Sequence, residues 1–158
     1  MSTETDVYRI EKSRIPVIVT LAQGEELAGD MFAQGYAALH YGPERPTDIL
    51  NDPREFFPLA LSDSETVLIS KNSVREVNAL SSSRDDWRLL PAWRQQRLEV
   101  RMADGAVCSG TVDLAVPGDM PRLIDYLNKM PDQFLPVLTS EGTRLINRRF
   151  IVSVRPLD

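Results

Sequence analysis

The chain has 158 residues, 42% of them hydrophobic and 26% charged, with a formal net charge of −5. That profile belongs to a folded globular protein and excludes a disordered, collagenous or membrane-spanning chain, because no apolar run approaches the roughly 20 residues of a membrane helix. One cysteine, Cys108, and one histidine, His40, exclude an intrachain disulfide framework and any cysteine-cluster or histidine-rich metal site.

Residues 1–15 read as an N-terminal segment whose polar, acidic start carries no signal or transit pattern, and a cytoplasmic protein is expected. From residue 16 the pattern becomes β. Val17, Val19 and Leu21 alternate with Ile18, Thr20 and Ala22, the period of a strand. Gln23-Gly24 signals a hairpin, and Glu26 to Ala33 continues as a second strand with Gly29 inside it, where a missing Cβ marks a bulge, a bend or a close backbone approach. Residues 34–44 form an insertion, a tolerated loop or a binding loop. A short helix follows over Thr47 to Asn51, with Pro46 suited to its start, Asn51 to a left-handed end and Pro53 blocking continuation. Strands are expected over Phe56 to Leu61, Thr66 to Ser70 and Val74 to Asn78.

Residues 79–96 read as a linker. Its Ser81-Ser-Ser-Arg-Asp-Asp86 stretch is turn-like, whereas Trp87, Leu89, Leu90 and Trp93 are apolar enough to pack against the rest. The β pattern then returns over residues 97–158. Leu98, Val100 and Met102 alternate with polar residues, and Asp104-Gly105 marks a hairpin. Ala106 to Ala115 carries Gly110, Pro121 to Asn128 reads as a helix, and strands follow over Phe134 to Thr139, Thr143 to Asn147 and Phe150 to Arg155.

The second stretch retraces the first. Val17 to Gly24 aligns with Leu98 to Gly105, Gly29 with Gly110, and Arg45-Pro-Thr-Asp48-Ile-Leu50-Asn51 with Arg122-Leu-Ile-Asp125-Tyr-Leu127-Asn128. Phe56-Phe-Pro58 aligns with Phe134-Leu-Pro136, and Leu68 to Val77 with Leu145 to Val154, with an offset that stays between 77 and 81. Five blocks in order predict an internal duplication, residues 16–78 and 97–158, each β-β-α-β-β-β. The fold class expected is mainly β with short helices (α+β), two small barrels packed against each other. Duplication further suggests that the halves meet through equivalent surfaces, as the subunits of a two-fold dimer do.

The spacing hydrophobic–x–hydrophobic–x–hydrophobic–x–x–Gly–x–x–hydrophobic–x–Gly, from Val17 to Gly29 and from Leu98 to Gly110, resembles the first motif of Sm-like proteins. Asn147-Arg-Arg-Phe-Ile-Val-Ser-Val154 is similar to their second motif, a short loop before a final strand. The resemblance implies an SH3-type barrel. The family's Asp-x-hydrophobic-Asn uridine loop has no counterpart, and its Arg-Gly reads Lys71-Asn72 in one half and Arg148-Arg149 in the other.

Chemistry is sparse. His40 lies in a loop without a nucleophile or a Gly-rich phosphate cradle, and Cys108 falls inside a strand, where a free thiol packs as a small hydrophobe. No catalytic residue, metal site or cofactor is expected. The repeated Arg-x-x-Asp-x-Leu-Asn places Arg45 with Asp48, and Arg122 with Asp125, three residues apart on one helix face. Arg45, Asp48, Asn51, Arg122, Asp125 and Asn128 therefore form a candidate docking site in each half, set against a purely structural reading as ion pair and cap. Charge is uneven, with 7 basic against 13 acidic residues in positions 1–80 and 11 against 10 in positions 81–158. Overall acidity disfavours indiscriminate nucleic-acid binding. Arg144, Arg148 and Arg149 are the candidates for an RNA-binding alternative. The leading expectation is a non-enzymatic interaction module, a scaffold, adaptor or accessory subunit, whose partner is another protein or a homo-oligomer mate. Small-molecule sensing in a cleft between the barrels is a further alternative.

Overall fold

The computed structural model describes residues 12–35, 44–80, 91–114 and 122–158. His40, most of the 34–44 insertion, Pro121 and the linker residues Trp87, Leu89 and Leu90 lie outside them.

Ten strands and two helices are described. In chain order they are β1 (Lys12–Leu21), β2 (Glu26–Gln34), α1 (Pro46–Asn51), β3 (Phe56–Ala60), β4 (Thr66–Ser70) and β5 (Val74–Ala79), then β6 (Gln95–Met102), β7 (Val107–Asp113), α2 (Leu123–Lys129), β8 (Phe134–Thr139), β9 (Gly142–Asn147) and β10 (Ile151–Pro156). All pair antiparallel in one sheet of order β10-β6-β7-β8-β9-β5-β1-β2-β3-β4. Short 3₁₀ turns join β4 to β5 and β9 to β10. No described helix is long and apolar enough to cross a membrane.

The first five strands run in the order β5-β1-β2-β3-β4, and the last five in the order β10-β6-β7-β8-β9. Their registers match as well. Val17 faces Gly29 as Leu98 faces Gly110, and Val19 faces Val77 as Val100 faces Val154. Asp30 faces Ala60 as Thr111 faces Leu138. Both hairpins turn on a glycine in the left-handed region, Gly24 at φ 94° and Gly105 at φ 91°. A Cβ on Gly29 would stand 2.6 Å from the Ala60 carbonyl oxygen, and one on Gly110 would run into the Leu138 carbonyl. These glycines are close approaches, which let β2 and β7 lie against β1 and β6 and still reach β3 and β8.

The sheet is not closed. The expected barrels would need β4 to meet β5, but β5 is occupied on both sides, by β1 and by β9. Among the described residues the two edges left over are β10 and β4. Two apolar clusters line the sheet, one including Val17, Val19, Met31, Phe57, Leu59 and Val77, the other including Leu98, Val100, Cys108, Leu135, Val137 and Ile146.

The join between the two groups of strands corrects the expectation of equivalent surfaces. β9 pairs with β5 over Glu76 to Ala79, so position four of one group meets position five of the other. This is head-to-tail contact, not two-fold contact. Strands at such a join bury both faces. Leu135 and Ile146 enter the second cluster, while their neighbours Phe134 and Leu145, pointing the other way, enter the first. A second correction concerns the linker. Trp93, in a 3₁₀ turn over Ala92–Arg94, is 62% exposed and does not pack into the join.

Candidate functional site

Each helix lies at a different kind of boundary, and the repeated polar residues do different work in each. In α1, the Arg45 N–H donates to Asp48 Oδ2 at 2.8 Å, half of a capping box that satisfies one of the donors left open at a helix start. The guanidinium of Arg45 is farther, at 3.5 Å. Asn51 does not end the helix in the left-handed region, since no described residue other than glycine has positive φ. Its side chain instead reaches β8, accepting from the Phe134 N–H at 2.8 Å and donating to the Phe134 carbonyl at 3.1 Å. The first half's Arg45, Asp48 and Asn51 are thus committed to the cap and to the join.

The second half's trio is not committed in this way. Arg122 donates to both Asp125 oxygens, at 2.9 and 3.4 Å, on the exposed side of α2. The Arg122 hydrogen bond holds the Asp125 carboxyl below its ordinary range. Asn128, the counterpart of Asn51, is exposed.

The arginines singled out for RNA serve the fold in two cases of three. Arg144 forms a two-pronged bond with Glu76 across the β5–β9 join, Nε to Oε2 at 2.8 Å and Nη2 to Oε1 at 2.7 Å. Arg148 donates to the Met130 carbonyl at 2.5 Å and to the Leu127 carbonyl, filling the open acceptors at the end of α2. Lys71 does the same job for α1. It is buried and donates to the Asp52 carbonyl at 3.1 Å and carboxylate at 2.9 Å. Burial raises the Asp52 carboxyl, but hydrogen bonds from Arg54 and Lys71 outweigh that and bring it down to about 2. Arg149 remains exposed.

Cys108 is buried in β7, and burial pushes its thiol up, against a smaller downward pull from Arg144. The cation beside it is Arg144. Among the described residues no three His, Cys, Asp or Glu side chains come together as a metal site.

A groove of about 530 Å³ lies between α2 and β10, lined by Gln96, Arg122, Leu123, Ile124, Leu127, Val154 and Pro156. Its walls are mainly apolar, and Arg122 is the charged group at its rim. Sequence reasoning singled out Arg122 as a docking residue but none of the apolar lining residues. Ile124, Leu127 and Val154 were each visible as hydrophobic positions, but nothing in the alternation marked them as lacking cover. The opposite edge of the sheet has a matching excess. Phe56 is 54% and Leu68 is 70% exposed, on β3 and β4. No protein family, curated protein or solved structure matches the chain.

Proposed function

We propose that this protein is a non-enzymatic interaction module, a cytoplasmic scaffold, adaptor or accessory subunit, built from two duplicated units that resemble Sm-like, SH3-type small barrels. It works by docking a protein partner in the groove between α2 and β10. The observation that carries this reading is the apolar lining of that groove at an open sheet edge, where both a hydrophobic side chain and an extended backbone can be received. The Arg122–Asp125 pair supplies a polar rim. The strand order and register common to the two halves support duplication.

The test is affinity capture from native lysate with wild-type chain and with Ile124→Asp, which puts a charge in the groove at a residue already 60% exposed. The reading expects specific partners, further copies of the chain included, to be retained by the wild type and lost by the variant, with an unchanged circular dichroism spectrum. Identical capture by both proteins would overturn it.

A further inference from the structure

The groove and the exposed edge are each half of a contact that the chain already makes once within itself. At the internal join, the first half offers β5, Asn51 and the floor around Leu50 and Val77, and the second half offers β9 with Phe134 and Leu145. Phe134 is fully buried in the first half's core, and its backbone is held by Asn51. At the outer ends of the sheet stand the counterparts of all these groups. Asn128 corresponds to Asn51, Leu127 to Leu50, Val154 to Val77 and β10 to β5. On the other side, Phe56 corresponds to Phe134, Leu68 to Leu145 and β4 to β9. Leu127 and Val154 line the groove, so the groove is the outer counterpart of the place beside Leu50 and Val77 that Phe134 fills at the internal join. Phe56 and Leu68, 54% and 70% exposed, are the side chains whose counterparts are buried there.

We infer that the occupant of the α2–β10 groove is Phe56 of a second copy of this chain, whose β4 adds to β10 antiparallel. This rests on the groove being a protein-docking site, as proposed above. The internal ladder sets Glu76 opposite Ile146, Val77 opposite Leu145 and Asn78 opposite Arg144. Transferred to the outer edges, Ser153 stands opposite Ile69, Val154 opposite Leu68 and Arg155 opposite Val67. Pro156 replaces Ala79 and, lacking an N–H, ends the ladder there. Asn128 then meets the backbone of Phe56 as Asn51 meets that of Phe134. The charges agree in sign, because contact joins the acidic first half of one copy to the second half of the next, where positive residues slightly exceed negative ones.

Two features make the outer contact weaker than the inner one. The Glu76–Arg144 fork is replaced by Ser153 and Val67, and Asn147, which donates to the Val74 carbonyl at 2.8 Å, is replaced by Ser70. The association is consequently reversible and concentration-dependent. Because it is head-to-tail it also leaves a free edge after each addition, so it gives rings when the rotation closes and open chains when it does not.

The experiment is light scattering coupled to size exclusion on the purified chain, with two double variants at exposed residues. Phe56→Asp/Leu68→Lys blocks the β4 side, and Ile124→Asp/Val152→Asp blocks the β10 side. The wild type is expected to show multiples of 17.8 kDa that dissociate on dilution. Each variant alone is expected to be a monomer, and an equimolar mixture to form a one-to-one complex that grows no further, since each partner keeps one working edge. A monomeric wild type throughout, variants that associate as well as wild type, or a mixture that stays monomeric would each overturn the inference. A monomeric wild type that still captures a different protein through Ile124 would sink self-association alone and leave the docking module standing. Loss of both would sink both.

Discussion

The side-chain amide of Asn51 pairs with both backbone polar groups of Phe134, 83 residues away, accepting from its N–H at 2.8 Å and donating to its carbonyl at 3.1 Å. An asparagine that does this takes the place of a neighbouring strand, completing the start of β8 where β7 does not reach. Substituting Asn51→Ala leaves a donor and an acceptor in the join unpaired and is expected to cost about 2–3 kcal/mol. The same change at exposed Asn128 is expected to cost less than about 0.5 kcal/mol in the dilute monomer. Urea unfolding of the two variants reads the difference, and equal losses would contradict the assignment.

The Glu76–Arg144 pair tests the join by charge. Glu76 is buried and Arg144 half-buried, so Glu76→Ala leaves the guanidinium without its fork and is expected to destabilise by about 2–4 kcal/mol. The double substitution Glu76→Leu/Arg144→Met removes both charges and is expected to recover most of that loss. A double variant as unstable as the single one would show that the fork itself, not the stranded charge, carries the stability.

Gly110 bears on the handover from β6 to β8. A Cβ there meets the Leu138 carbonyl and the Val137 side chain. Gly110→Ala is therefore expected to cost about 1–3 kcal/mol by overpacking. At Gly35, where a Cβ would meet nothing, the same substitution is expected to be close to neutral, as thermal melts of the pair would show.

Acid sensitivity follows from Asp52. Its carboxyl titrates at about 2 in the fold and near 3.8 without its partners. A lowered value means that the stabilisation is present above about pH 4 and is lost as pH falls toward 2. Allowing for its partial exposure, the contribution is about 1–2 kcal/mol. Asp52→Asn is expected to lower stability at neutral pH and to flatten the decline between pH 4 and 2. An undiminished slope would assign the acid response to other groups.

Cys108 gives a simple probe of how firmly β7 is held in the sheet. Burial raises its thiol, so a disulfide reagent is expected to leave it unmodified in the folded chain and to modify it at once in denaturant. Rapid labelling of the native protein would mean that β7 opens readily.

Local structure was legible in the residues because it is decided locally. Val17, Val19 and Leu98, Val100 alternate, Gly24 and Gly105 turn, and Thr66 to Ser70 and Phe134 to Thr139 are strands with the expected bounds. The join was not legible, because it depends on partners far apart in the chain. Asn51 at a helix end reads as a cap, and only the placement of β8 beside α1 shows what its amide reaches. Arg144 and Arg148 read as a basic patch until Glu76 and the α2 carbonyls are set against them. The open sheet was hidden for the same reason. The residue pattern specifies the strand order within each group, but β5 has one free side for which β4 and β9 compete, and the pairing with β9 wins, bringing the Glu76–Arg144 fork with it. Exposed Phe56 and Leu68 look like ordinary core positions in sequence; their lack of cover appears only beside buried Phe134 and Leu145.

The most direct measurement of the proposed assembly is amide hydrogen exchange of β4 and β10 as protein concentration is raised. Self-association by strand addition predicts that exchange slows in Thr66–Ser70 and Ile151–Arg155 together, over the same concentration range, while the β5–β9 join stays protected throughout. Exchange at β4 and β10 that does not change with concentration would contradict it.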